Sequence, residues 1–154
     1  MVAIILLIGI TGCGSEEPPI KKSECVKHTI NGVDFYVPNS LEYDDGLSID
    51  SVHVFADDDH YVSVGCHEHI YDISSSGLEE IKKAIGKDAD VELTEINGVD
   101  CVLASYAYKV EGEKIESREA YFDVDGKTCL IVVSWKKKNL QREFDAITNY
   151  SIGQ

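Results

Sequence analysis

Between Lys27 and Lys82 the chain contains no lysine or arginine at all. That stretch carries twelve carboxylates, and the whole chain has a formal net charge of −14. Nucleic acid is therefore ruled out as an expected partner, because binding it depends on cations that neutralise phosphate. An acidic face is also repelled by anionic lipid. The plain meaning of so much carboxylate is a solvated surface that favours solubility, the other a face for a cation or a basic partner. Long apolar runs are missing too. The run at the front, Val2 to Ile10, is nine residues long, and a spanning helix needs about 20. There is no CxxC pair, which removes the redox and zinc-ribbon readings. There is no G-x-S-x-G elbow and no Gly-rich phosphate loop. An enzyme is not expected.

What is present begins with Ile10-Thr11-Gly12-Cys13, directly after the apolar run. A run of that length fits the apolar region of a signal peptide, about 7–15 residues. The tetrapeptide resembles the lipobox of bacterial lipoproteins, in which a small pair precedes a cysteine that is lipidated and becomes the new N-terminus. The resemblance implies that residues 1–12 are a lipoprotein signal peptide. It also implies that Cys13 carries a covalent diacylglycerol and an amide-linked acyl chain such as palmitate. Two acyl signals anchor stably where one is marginal. The expected address is the extracytoplasmic side of a cell membrane. No other cofactor is expected. Residues 13–23 read as a polar tether, stiffened toward polyproline II by Pro18 and Pro19 so as to lift the folded part off the lipid. Residues 24–154 then make one domain.

Four cysteines remain: Cys25, Cys66, Cys101 and Cys129. In an oxidising compartment an even count suggests two disulfides. Four buried thiols acting as small hydrophobes is the competing reading, and spacing leaves both open.

Turn chemistry sets out the fold. Asn31-Gly32 joins two strands within residues 25–37, since Asn-Gly accepts positive φ at both positions. A second hairpin runs through residues 51–56 and 60–70, turning at Asp57-Asp58-Asp59. Pairing Ala56 with His60 would put Val52, Val54, Val62, Val64 and Cys66 on one face, and His53, Phe55, Tyr61, His67 and His69 on the other. Ser76-Gly77-Leu78-Glu79 reads as a capping box before a short helix ending at Gly86. A strand at 91–95 turns at Asn97-Gly98. Three long strands follow, over 101–110, 115–123 and 127–135, with turns at Glu111-Gly112 and Asp125-Gly126. A last helix spans about 139–149 with Leu140, Phe144 and Ile147 inward. The fold class is α+β, a central antiparallel β-sheet flanked by about two helices. If the three long strands form a meander, Cys101 and Cys129 lie two strands apart, about 9–10 Å. A disulfide needs Cα atoms within about 7 Å, so that pair is not expected to bond.

Cys66-His67-Glu68-His69 is the best local chemical constellation. On a strand His67 and His69 point to one side, and two imidazoles suit zinc or copper. Structural zinc needs about four ligands, so His53, His60 and His28 are the further candidates. Asp57-Asp58-Asp59 with Asp44-Asp45 offers oxygens for calcium, though such residues are also ordinary turn formers. Cys66 falls on the apolar face, which argues for an inert thiol. Tyr106, Tyr108 and Tyr121 lie on paired strands, where they suit a binding groove and strand propensity alike.

Three segments carry a wider likeness: Phe35-Tyr36-Val37-Pro38-Asn39-Ser40, then Ile96-Asn97-Gly98-Val99, then Phe144-Asp145-Ala146-Ile147 with Ser151-Ile152. Their order and spacing over residues 30–152 resemble the PsbP-like superfamily, which includes many bacterial lipoproteins. Leu41 and Ile152 stand where that superfamily usually has aromatics. The resemblance implies a sheet flanked by helices and a non-catalytic binding or assembly role, with no catalytic residues to carry over. The expected function is a membrane-anchored envelope lipoprotein that contacts another envelope protein through its sheet edge or acidic face. The alternative is a metal-binding lipoprotein using His67 and His69.

Overall fold

Four tight turns organise the chain, and each is a residue pair with both φ values positive. They are Asn31-Gly32, Asn97-Gly98, Glu111-Gly112 and Asp125-Gly126. Their backbone twist matches that of the flanking strands, so each closes a two-residue antiparallel hairpin. The computed structural model describes residues 17–86 and 88–154. The expected signal peptide and the expected lipidation site at Cys13 lie outside the described residues. Asn31-Gly32 joins β1 (Cys25–Ile30) to β2 (Val33–Pro38), a separate two-stranded sheet. The main sheet has six antiparallel strands: β3 (Val52–Ala56), β4 (His60–Glu68), β5 (Asp90–Ile96), β6 (Val99–Val110), β7 (Glu113–Val124) and β8 (Lys127–Trp135). Their spatial order is β3-β4-β8-β7-β6-β5. Strands β6 to β8 are the expected meander, β5 extends it by one strand, and β4 docks against its far side. Two α-helices, α1 (Leu78–Ile85) and α2 (Gln141–Ser151), complete the α+β architecture. Among the described residues no helix is long and apolar enough to cross a membrane.

Successive strand residues point to opposite faces, and the sheet buries both in unequal layers. On one face Cys66, Cys129, Phe122 and Cys101 stand in register across β4, β8, β7 and β6, all fully buried. Val64, Ile131 and Ala120 form the next row. The β1–β2 hairpin and α2 pack on these rows, with Phe35, Val37, Leu140, Phe144, Ile147 and Ile152 in the same apolar cluster. On the other face Ile81 of α1 meets Val102 and Tyr121 in a smaller cluster.

Three expectations are corrected. The hairpin β3–β4 pairs Ala56 with Tyr61, not with His60. Asp57 sets this register: its carboxylate accepts the amides of Asp59 at 2.7 Å and His60 at 2.9 Å. A one-residue slip moves every side chain to the other face. His53 and Phe55 therefore stand opposite Val64 and Val62 on the main core face, while Val52 and Val54 stand opposite Gly65 and Ser63. Next, Ser76 does not cap α1. The N-cap is Gly77 with no side-chain cap bond, because the Ser74 and Ser76 hydroxyls both donate to the Asp72 carboxylate, at 2.7 and 3.0 Å. Gly77 is required there by close approach, since a Cβ would sit 1.8 Å from the Asp72 carbonyl oxygen. Finally, the described part of the segment read as a tether does not stand off from the domain. Tyr150 donates to the Ile20 carbonyl at 2.8 Å, and Arg142 pairs with Glu17 at 2.6 Å. Residues 17–20 thus lie along α2.

Candidate functional site

The predicted histidines separate. His67 and His69 lie at and just beyond the end of β4, and the nearest acid to His69 is Asp123, at 3.9 Å. Lys127 shares a small cleft with His67, Glu68 and Asn31, an unfavourable neighbour for a cation. His53 now faces the opposite side of the sheet from His67. It meets His28 instead, Nδ1 to Nδ1 at 3.1 Å, among Phe55 and Tyr43. Burial, then the neighbouring His53, pushes the His28 pKa down. Among the described residues no three His, Cys, Asp or Glu side chains gather as a metal site. The acidic turns are likewise engaged. Asp44 accepts the amide of Leu47 and Asp59 pairs with Lys137 at 3.1 Å.

The cysteines divide in an unexpected way. Cys66 and Cys129 stand directly opposite in the β4–β8 register and form a disulfide, Cα to Cα 4.1 Å. Cys66 is therefore not the inert thiol its apolar position suggested. Cys25 and Cys101 are free, so the structure has one bridge, neither the two disulfides nor the four thiols that the spacing left open. The reason is positional. Cys101 is separated from Cys129 by Phe122 of the intervening strand, as the meander geometry required. Cys25 opens β1, outside the main sheet.

Tyr121 is buried, and it builds the centre of a polar network that the sequence did not reveal. Glu119 on β7 is 7 % exposed. It accepts the hydroxyl of Tyr106 at 2.6 Å and that of Tyr121. Glu119 and Tyr121 are two apart on one strand, so both reach the α1 side of the sheet. The readable signal was that spacing with a tyrosine on the neighbouring strand. Burial, then the Glu119 hydrogen bond, pushes the Tyr106 pKa up to about 12. Burial and the Glu119 charge raise that of Tyr121 as well. A tyrosine pKa raised by folding stabilises the fold below its unfolded pKa of about 10, and the benefit is lost as pH rises past it. The thermal midpoint should thus fall between pH 10 and about 12. Tyr121→Phe should flatten that alkaline limb and cost about 1–3 kcal/mol at neutral pH, since a buried carboxylate loses a donor. An unchanged alkaline limb in the variant would contradict this.

Toward the other end of the same face, tyrosines reach solvent. Tyr61 and Tyr108 are each 41 % exposed. Tyr108 borders two clefts. One, of about 410 Å³, is also lined by Tyr106, Ile85, Asp88 and Ala89. The second, of about 150 Å³, is lined by Asp57, Asp58, Asp59, His60, Tyr61 and Trp135 among others. His60 Nδ1 sits 2.9 Å from Asp57, and its Nε2 is buried with no partner among the described residues. The arrangement is an aromatic platform whose rim carries Asp57, Asp58 and Asp88, with Asp59 paired to Lys137 and Lys136 paired to Glu113. It offers stacking area and acceptors. No Ser, Cys or Lys nucleophile lines the smaller cleft beside His60 except Ser134 and Lys136. Ser134 is engaged with Ser117 at 2.9 Å and Lys136 with Glu113 at 3.3 Å.

No protein-family model matches the sequence, and no curated protein matches it. Solved structures do. The solution structure of cyanobacterial PsbP (CyanoP) from Synechocystis sp. PCC 6803 aligns over 92 % of this chain and 96 % of its own, with a TM-score of 0.55 and 16 % identity. The chain has a PsbP-like fold. A protein from Bacteroides thetaiotaomicron VPI-5482 also aligns, over 75 % of this chain, with a TM-score of 0.56 and 10 % identity. This chain spans only 42 % of that protein. At these identities the likeness is one of architecture. It agrees with the resemblance carried by the Phe35, Asn97 and Phe144 segments. Two of those segments meet in the PsbP-like fold: Asn97 donates to the carbonyls of Asn149 and Ile152, at 2.8 and 3.0 Å. The third joins them where the Ser151 hydroxyl accepts the Tyr36 amide at 3.0 Å.

Proposed function

We propose that this chain is a lipid-anchored, non-catalytic binding module of the cell envelope. Cys13 holds it to the membrane, and the tyrosine platform takes a segment of an envelope protein. The observation that carries the binding reading is the grouping of Tyr61, Tyr106 and Tyr108 with a carboxylate rim at Asp57 to Asp59 and Asp88. Tyrosine supplies large contact area at interfaces, and clustered carboxylates steer a basic partner toward it. The complementary segment is therefore basic with an apolar or aromatic anchor. The PsbP-like fold supports a scaffold that presents a surface. The anchor rests on the Thr11-Gly12-Cys13 pattern in the sequence.

Two substitutions test the two halves separately. Cys13→Ser should move the protein from the membrane fraction to the supernatant, because the acyl chains supply the anchoring energy, about 0.8 kcal/mol per buried CH2. Retention in the membrane fraction would refute the anchor. A photo-crosslinking side chain at Tyr108 should give a discrete adduct in intact cells that Asp58→Lys/Asp59→Lys abolishes. Only diffuse adducts, insensitive to that charge reversal, would refute the platform.

A further inference from the structure

The strap of residues 17–24 fixes which end of the domain meets the membrane. This inference rests on the anchoring proposed above. Arg142, in the first turn of α2, pairs with Glu17 at 2.6 Å and donates to the Pro18 carbonyl at 3.3 Å. Tyr150, two turns on, holds the Ile20 carbonyl at 2.8 Å. Lys22 continues the line, donating to Gln154 at 2.7 Å and lying 4.0 Å over the Tyr36 ring. The strap therefore runs in the same direction as α2, and its leading end, Glu17, sits at the N-terminal end of that helix. Only residues 14–16 separate Glu17 from Cys13. Four Cα–Cα steps span at most about 14 Å. The Cα of Glu17 is thus held within that distance of the acylated residue, and the Arg142 ion pair carries the N-terminal end of α2 with it.

The chemistry at that end suits a headgroup layer. Lys138, exposed and three residues before α2, stands at that end, while Lys136 and Lys137 turn away to Glu113 and Asp59. A groove of about 680 Å³ between strap and helix is lined by Lys138, Arg142, Glu17, Glu143 and Asp145 among others. Cations and carboxylates stand side by side there, as zwitterionic headgroups require. Glu143 is 1 % exposed, and its Oε2 has no hydrogen-bond partner among the described residues. Its Oε1 faces Arg142 at 3.7 Å and Lys138 at 3.9 Å, so the two cations of the groove sit over a buried carboxylate. We infer that the strap and the N-terminal end of α2 form a docking face for a zwitterionic phospholipid surface. The tyrosine platform is thereby held in one fixed orientation relative to the bilayer.

Lysine acetylation read by mass spectrometry tests this on the mature acylated chain, bound to vesicles of phosphatidylethanolamine and phosphatidylcholine. Labelling of Lys21 and Lys138 should slow severalfold on vesicles, while Lys83 of α1, on the other face of the sheet, keeps its rate. A flexible Gly/Ser spacer of about twelve residues placed between Ser15 and Glu16 should restore Lys138 labelling while flotation with vesicles persists. Flotation without protection of Lys138 would overturn the docking face and leave the anchor standing. Protection that survives the spacer would overturn the role of the strap. Failure of the acylated chain to float would overturn the anchor and this inference together.

Discussion

Replacing Cys66 and Cys129 together with alanine should cost about 4 kcal/mol. The bridge spans a sequence separation of 63. Cross-linking a loop of that length removes about 14 cal/mol/K of entropy from the unfolded chain, which is about 4 kcal/mol at 25 °C. For a domain of this size that is a fall in Tm of about 10–15 °C. Both sulfurs are fully buried, so alanine adds a small cavity cost in the same direction. Reducing the native protein with dithiothreitol isolates the cross-link from the cavity and should give most of the loss. The free cysteines supply the contrast. Cys25 is half-buried, and Cys25→Ser should change stability by less than about 0.5 kcal/mol, as substitutions away from the core do. Burial pushes the Cys101 thiol up to about 11, so it should resist alkylation until the protein unfolds. With Cys13 acylated as proposed, the protein unfolded without reductant should titrate as two thiols, Cys25 and Cys101. Four thiols would refute the bridge.

Phe122→Ala should cost about 3–5 kcal/mol, the range for an aromatic removed from a closed core. Phe122 is fully buried between Cys101 and Cys129 in the sheet register. Its ring meets that of Phe35 edge to face, 6.2 Å between centroids. That contact joins the β1–β2 hairpin to the main sheet, so the loss should not be uniform. Hydrogen exchange of β2 amides should accelerate more than that of β7–β8. Val110→Ala, at a position 46 % exposed, should stay within about 0.5 kcal/mol. Urea unfolding of the two variants side by side decides the matter. A loss below about 1 kcal/mol for Phe122→Ala would mean the site collapses to fill the void. Because Phe122 and Cys129 are neighbours, the triple variant should lose less than the sum of the separate losses.

The four left-handed residue pairs were readable because each hairpin is decided by two adjacent residues. The same holds for α2, where Leu140, Phe144 and Ile147 repeat at helical spacing and are buried as expected. The β4–β8 pairing was not readable. It joins distant residues, with Cys66 and Cys129 at a separation of 63, and no local pattern distinguishes β8 from any other apolar strand as the partner of β4. The Cys66–Cys129 bridge was hidden with it, although the meander did exclude Cys101 as partner. The register of β3–β4 failed for a different reason. It turns on which amides the Asp57 carboxylate accepts, and a run of three aspartates offers several choices. The candidate site follows the same division. The tyrosines were visible as strand residues, but which of them are buried depended on where α1 settles.

The late partner of β4 has a consequence for how the chain comes together. During synthesis from the N-terminus, β3 and β4 emerge long before β8 exists. Their hairpin must wait with Val62 and Val64 uncovered and Cys66 as a lone thiol. The meander can zip through local closures first, since each of its turns costs little loop entropy. Docking β4 then closes the longest loop in the sheet, and non-local closures of this kind are the slow ones. Oxidation seals the final step of assembly rather than guiding the earlier ones.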